Sequence, residues 1–296
     1  MQSSVQFRGS FPALITPMKN GKVDEQAFRA FVNWQIEQGS HGLVPVGTTG
    51  ESPTLTPEEH KRVIEICIDE VKGRVPVIAG TGSNSTREAL DFTLHAAEAG
   101  ADAALVVVPY YNKPTQDGLY AHFKAIADAV DIPIIVYNVP GRTVANISVE
   151  TLARLSHDCK NIIGTKDASA DLTRPSRQRQ FSGKDFIQLS GEDGTALGFN
   201  AHGGVGCISV TANVAPRLCA DFQAASLSGD RVTAHALNEK LFPLHQSLFT
   251  DCSPGPVKYA MSRVLGWIGE DVRLPIIACS AESRKAVDAG LAHAGL

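Results

Sequence analysis

The chain has 296 residues, 43% hydrophobic and 20% charged, a globular composition that excludes disorder and collagen-like repeats. Twenty-seven Lys plus Arg against 31 Asp plus Glu leave a net charge of -4. No overall positive field therefore draws the molecule to nucleic acid or an anionic membrane, and a small-molecule partner is expected. The opening MQSSVQFRGS has no apolar leader, and the six cysteines (Cys67, Cys159, Cys207, Cys219, Cys252, Cys279) form no C-x-x-C pair. They read as free thiols in a reducing cytoplasm. The longest apolar runs fall far short of the ~20 residues that a membrane helix needs.

In chain order, short β-branched runs alternate with segments of helical spacing. The candidate strands are Ala13–Thr16, Gly42–Gly47, Val75–Ala79, Ala104–Val108, Ile134–Tyr137, Ile162–Lys166, Phe186–Ser190 and Gly206–Val210. The candidate helices between them are Asp24–Gln38, Pro57–Val71, Ser85–Ala99, Thr115–Val130, Ser148–Leu155 and Gly194–Ala201, the first capped by Asp24 and closed by Gly39. Strands apolar on both faces, each followed by a helix, indicate a parallel sheet covered by helices. An open doubly wound sheet fits that period too, but its Gly-rich phosphate turn is missing. Thr16-Pro17-Met18 follows the first strand, and Gly80–Ser85 lacks the third glycine of the dinucleotide fingerprint.

The expected fold class is therefore α/β, a (β/α)8 TIM barrel with a C-terminal helical extension. From Pro216 onward no strand is expected. Leu218, Phe222, Leu227, Val232, Leu237, Leu241 and Leu244 supply apolar helical faces, and Ser253-Pro254-Gly255-Pro256 breaks the pattern before Val257–Leu265. Without a low-complexity linker, residues 1–215 are expected to form the catalytic barrel, with 216–296 as a helical region packed on it.

In a parallel barrel, reactive groups belong at the C-terminal ends of the strands. Those ends here read Gly47-Thr48-Thr49-Gly50-Glu51, Pro109-Tyr110-Tyr111-Asn112, Tyr137-Asn138-Val139-Pro140-Gly141-Arg142, Thr165-Lys166-Asp167 and Ser190-Gly191-Glu192-Asp193. The two-residue period puts Ile162, Gly164 and Lys166 on one face. If that face is enclosed, desolvation favours the neutral amine, which can attack a ketone and form a Schiff base. The bland alternative is a strand-end lysine snorkelling to solvent or pairing with Asp167.

Tyr137 shares a face with Ile135 and can pass a proton, or it is simply a buried tyrosine with a satisfied hydroxyl. Thr48 and Thr49 sit in a turn whose glycines let backbone amides approach a carboxylate, or which merely joins strand to helix. Arg142 could clamp a carboxylate, or be solvated surface. The nine histidines form no H-E-x-x-H and no His/Cys cluster. No metal is expected, and His122 reads as part of an amphipathic helix.

These segments resemble, in order and over the whole chain, the dihydrodipicolinate synthase family of pyruvate-dependent class I aldolases, which also includes N-acetylneuraminate lyase. Gly47–Ser52, Tyr110–Pro114, Tyr137–Thr143 and Gly164–Asp167 carry the resemblance, joined by Ser190–Asp193 and Gly206–Asn213. It implies condensation of pyruvate with aspartate semialdehyde in lysine biosynthesis, with no cofactor. By that resemblance Lys166 forms the pyruvate imine, and Tyr137, Thr48 and Tyr111 relay protons. Thr49 holds the pyruvate carboxylate, Arg142 holds the semialdehyde carboxylate, and Gly191 and Ile208 line the pocket.

The tyrosine at the Tyr111 position is lent by a neighbouring subunit in the family, which implies a dimer and usually a homotetramer. Ser52, His60, Asn84, Glu88 and Tyr110 match positions where relatives bind L-lysine as a feedback inhibitor. Pro53 and Pro57 depart from the enterobacterial-type pattern, which has alanine and a second histidine there. Two other readings remain at this point. One is a 2-keto-3-deoxy sugar-acid aldolase or dehydratase using the same amine. The other is a non-catalytic small-molecule sensor on a barrel scaffold, which loss of the lysine or tyrosine would have signalled.

Overall fold

The computed structural model describes residues 6–296. Its strands are β1 (Gly9–Pro12), β2 (Met18–Lys19), β3 (Lys22–Val23), β4 (Ile78–Gly80), β5 (Ala103–Val107), β6 (Ile134–Asn138), β7 (Ile162–Asp167), β8 (Ile187–Ser190) and β9 (Gly206–Ser209). From β4 onward helices follow the strands in the alternating order expected of the (β/α)8 class, and the C-terminal region is helical. The residues group into two compact units, one built on Ile78–Ile208 and the other on Gly9–Val77 with Ser209–Leu296.

In the first unit, β4 to β9 pair consecutively and in parallel. Alternate side chains divide between two faces. Ala104, Val106 and Val108 on and after β5, with Ile134 and Val136 on β6, join Leu119, Phe123, Ile126, Leu152 and Leu155 of the flanking helices in one core cluster. Each such large aliphatic or aromatic side chain removed from water contributes about 1.5–3 kcal/mol. Ile135 and Tyr137 point to the opposite face, where Ile135 registers with Gly164 and Tyr137 with Lys166.

That register corrects one expectation. Ile162 joins the helix-side cluster instead of sharing a face with Gly164 and Lys166. The register shifts between Ile134 and Ile135, so that Ile134 pairs with Ile162 but Ile135 with Gly164. One extra residue on β7 reverses the parity.

In the second unit, the antiparallel pair β2 and β3 precedes the helix Glu25–Glu37, whose N-cap Asp24 accepts from the Ala27 amide, as expected. The first strand lies earlier than the Ala13–Thr16 run. Ala13 donates to the Ser209 carbonyl and bridges Val44, but the Ile15 amide is taken by the Asn213 side chain, which ends the ladder. The Gly42–Gly47 run narrows to parallel bridges at Leu43 and Val44. Pro45 has no N–H to donate, and Val46 at φ 56 leaves the extended region.

The helix Arg174–Ser182 is not among the expected helices; its buried residues are Arg174, Pro175 and Gln178, so it shows no apolar stripe. Beyond Ser209 the described residues contain helices and no strand, as expected. Phe222, Leu241 and Leu244 are buried, whereas Val232, assigned to the same apolar faces, is 83% exposed in the first turn of Arg231–Ser247. All six cysteines are free. No helix among the described residues is long and apolar enough to cross a membrane.

Candidate active site

Lys166 ends up enclosed. It is 6% exposed, and its Nζ lies 4.0 Å from the centroid of the Tyr137 ring, across the β6 to β7 ladder that pairs the two residues. Both bland alternatives for this lysine fail. It does not snorkel to water, and Asp167 pairs instead with Arg174 at 2.7 Å.

Two glycines permit close approaches here, the first beside the lysine and the second between strands. A Cβ on Gly191 would stand 2.8 Å from Ala168 Cβ, 3.0 Å from Lys166 Cε and 3.1 Å from Lys166 Cγ. A Cβ on Gly164 would stand 2.6 Å from the Ile187 carbonyl oxygen. The absence of a side chain at 191 therefore gives the lysine stem its course. Glu192 follows, its carboxyl pushed up from the usual range by burial and by the neighbouring Asp193, and drawn back down by the Gly194 amide and by the charge of Lys166. Ile208, on β9, is buried.

The segment after β6 is braced from below. The turn Pro140–Thr143 carries Arg142, whose amide donates to the Val139 carbonyl and whose side chain is exposed. Asn138 Nδ2 donates to Asn146 Oδ1, while its Oδ1 accepts the Ile147 amide. Arg174 donates to the Ile147 carbonyl from Nη2 and to Asp167 from Nε. The Arg174–Asp167 pair thus ties the residue after Lys166 to the loop that follows Arg142. Sequence reasoning missed this pair, for nothing in Arg174's polar surroundings marks it as buried.

Thr48 and Thr49 lie in a tight turn in which Gly50 donates to Gly47 O at 3.1 Å and Glu51 to Thr48 O at 3.1 Å. Thr49 is buried and Thr48 half-buried. A Cβ on Gly50 would fall 3.0 Å from the Leu14 carbonyl oxygen, so the close approach requires glycine. Tyr111 is 90% exposed.

Backbone strain marks the same segments. Val46 (φ 56), Tyr111 (φ 71) and Val144 (φ 63) occupy the left-handed region, which bulky residues avoid and which costs on the order of 1–3 kcal/mol each. One precedes the Thr48–Thr49 turn, one is itself a residue singled out from the sequence, and one follows Arg142.

Among the residues matched to an inhibitor site, Glu88 Oε2 accepts from Ser83 Oγ at 2.5 Å, and the Asn84 carbonyl accepts from Asn112 Nδ2 at 2.9 Å. Tyr110 and Ser52 are half-buried, and His60 is buried. His122 is buried against Phe123, with Nδ1 2.9 Å from Thr86 Oγ1. Burial pushes its pKa down to about 4, as for a core histidine rather than a ligand. No group of His, Cys, Asp and Glu suited to a metal occurs among the described residues.

A family model described as the dihydrodipicolinate synthetase family matches residues 6–294. The chain belongs to that family. A 4-hydroxy-tetrahydrodipicolinate synthase from Methylobacterium radiotolerans is 63% identical over 291 residues, covering 98% of this chain and 97% of that protein. The crystal structure of a dihydrodipicolinate synthase from Acinetobacter baumannii complexed with pyruvate superposes with a TM-score of 0.95 at 45% identity, covering 98% of this chain and 99% of the other. The enzyme from Cyanidioschyzon merolae, solved with lysine bound, gives 0.94 at 37% identity, with 98% of each chain covered.

Proposed function

We propose that Lys166 captures pyruvate as an imine and that this adduct condenses with L-aspartate 4-semialdehyde to give 4-hydroxy-tetrahydrodipicolinate. As a family member the chain is an enzyme, a pyruvate-dependent carbon–carbon lyase/synthase of lysine biosynthesis. The single observation that carries the residue assignment is the enclosed amine of Lys166 beside the Tyr137 ring.

In the proposed sequence, the amine attacks the keto carbon and water leaves, giving the protonated imine. Loss of a methyl proton gives a carbon nucleophile, because the imine accepts the electron pair. That carbon attacks the aldehyde, the substrate's own amino group closes the ring, and Lys166 is released. Tyr137, Thr48 and Tyr111 relay the protons. Thr49 holds the pyruvate carboxylate, Arg142 holds that of the semialdehyde, and Gly191 and Ile208 line the pocket.

The exposed, strained Tyr111 supports a relay residue that serves a neighbouring copy, and with it a homotetramer. Residues 1–215 would be the catalytic barrel and 216–296 a helical region packed on it, in a cytoplasmic enzyme. Ser52, His60, Asn84, Glu88 and Tyr110 would receive L-lysine as a feedback inhibitor, consistent with the lysine-bound relative.

The test supplies purified enzyme with pyruvate plus one of three aldehydes: aspartate semialdehyde, glyceraldehyde or N-acetylmannosamine. Turnover with the semialdehyde at least about a hundredfold above the others is expected, since a bidentate Arg–carboxylate contact is charge-assisted. Preference for either sugar-type acceptor would overturn the assignment in favour of a sugar-acid aldolase.

A further inference from the structure

The Thr48–Thr49 turn is anchored by a buried charge pair that the reaction does not use. Glu51 closes the turn at φ 59. Its side chain and that of Lys258, in the helix Gly255–Leu265, are both fully buried, and Lys258 Nζ contacts Glu51 Oε1. Lys258 also donates to the Asp271 carbonyl at 2.7 Å. Glu51 Oε2 accepts the Arg273 amide at 3.0 Å. The Arg273 guanidinium then grips Glu59 through both terminal nitrogens, at 2.5 and 2.6 Å, and donates to the Thr54 and Gly21 carbonyls. On the near side of the turn, Thr16 Oγ1 donates to the Gly50 carbonyl at 2.7 Å.

Such an arrangement is a poor way to stabilise a fold. Desolvating both charges offsets their attraction, and apolar replacements of similar volume are often neutral or stabilising. Burial pushes the Lys258 pKa down, with the Glu51 charge opposing it. What the pair supplies is direction. A charge-assisted contact holds the carboxylate in one place, and the carboxylate belongs to the residue two positions after Thr49.

We propose that Lys258, acting through Glu51, is a positioning residue for the Thr48–Thr49 turn, so that the C-terminal helical region sets the geometry of the substrate-carboxylate pocket. This rests on the reading of Thr49 as the pyruvate-carboxylate ligand. Neither Lys258 nor Glu51 touches substrate in this scheme.

The test is the paired variant Glu51→Gln/Lys258→Met, which removes both charges together, leaves an amide oxygen for the Arg273 N–H and roughly conserves volume. It is assayed well below its melting temperature. The expected result is unfolding at a temperature close to wild type, pyruvate KM raised about tenfold and kcat at saturating pyruvate within about threefold, since a shifted carboxylate ligand weakens ground-state binding. An unchanged pyruvate KM, or a lower kcat at wild-type KM, would overturn the proposal, and so would a lower melting temperature with wild-type kinetics. Thr49→Val, run alongside, separates the two claims. A wild-type pyruvate KM in Thr49→Val refutes the carboxylate assignment and this proposal with it. A raised KM there with a wild-type KM in the paired variant refutes the role of Lys258 alone.

Discussion

Gly191→Ala puts the geometry around Lys166 under direct test. The new Cβ would lie 2.8 Å from Ala168 Cβ and 3.0 Å from Lys166 Cε. Ordinary contact begins at 3.4 Å, so the two neighbours must retreat by 0.6 Å (3.4 less 2.8) and 0.4 Å (3.4 less 3.0). The atoms that must move are the last carbon before the reacting amine and a strand-end methyl, not the tip of a free side chain. Misplacing a reacting group by about 1 Å can cost about a hundredfold, so roughly half that displacement should lower kcat/KM about tenfold, or about 1.4 kcal/mol of barrier. Overpacking should also cost on the order of 1–3 kcal/mol of stability.

The assay follows imine formation by rapid quenching with borohydride, beside steady-state rates and thermal unfolding. Gly164→Ala is the comparison, because its Cβ would strike the Ile187 backbone of the neighbouring strand and should cost stability more than chemistry. A Gly191→Ala enzyme with wild-type imine kinetics would refute the argument that this glycine sets the path of the lysine.

Three further outcomes are expected. Arg142→Ala should raise KM for aspartate semialdehyde by roughly tenfold to a hundredfold, because a charge-assisted bond is worth about 1.5–3 kcal/mol, while leaving pyruvate KM near wild type; equal losses on both substrates would remove the assigned role. Asp167→Ala should destabilise the fold by about 3–5 kcal/mol in denaturant titrations, since it strands the buried Arg174 guanidinium, and a loss below about 1 kcal/mol would contradict the bracing role. His122 is held neutral by burial at about 4 instead of 6.5, so between those values the unfolded chain binds more protons than the folded one. Its contribution, roughly 3 kcal/mol from that gap, is full above about pH 6.5 and is lost as the pH falls through about 4. The difference in unfolding free energy between wild type and His122→Gln should follow that curve, and a difference independent of pH would refute it.

Much of this was legible in the sequence where local rules act alone. Asp24 caps its helix as its side-chain chemistry dictates, and the two-residue period groups Lys166 with Gly164 and Tyr137 with Ile135, pairs that the ladder keeps. Parity failed at Ile162, because a bulge in β7 is invisible without the partner strand. The strand expected over Gly42–Gly47 is cut short inside its apolar run by the missing donor of Pro45 and the left-handed φ of Val46. The helix Arg174–Ser182 was hidden because its buried groups are polar. The pairs Arg174–Asp167 and Lys258–Glu51 are tertiary facts: each charge alone reads as surface, and only folding shows that both partners of each pair are dry.

The most direct measurement is mass spectrometry of the enzyme quenched with borohydride in the presence of pyruvate. The account predicts a single reduced pyruvate adduct on Lys166, absent in Lys166→Met. An adduct on any other lysine, or sustained turnover without one, would contradict it.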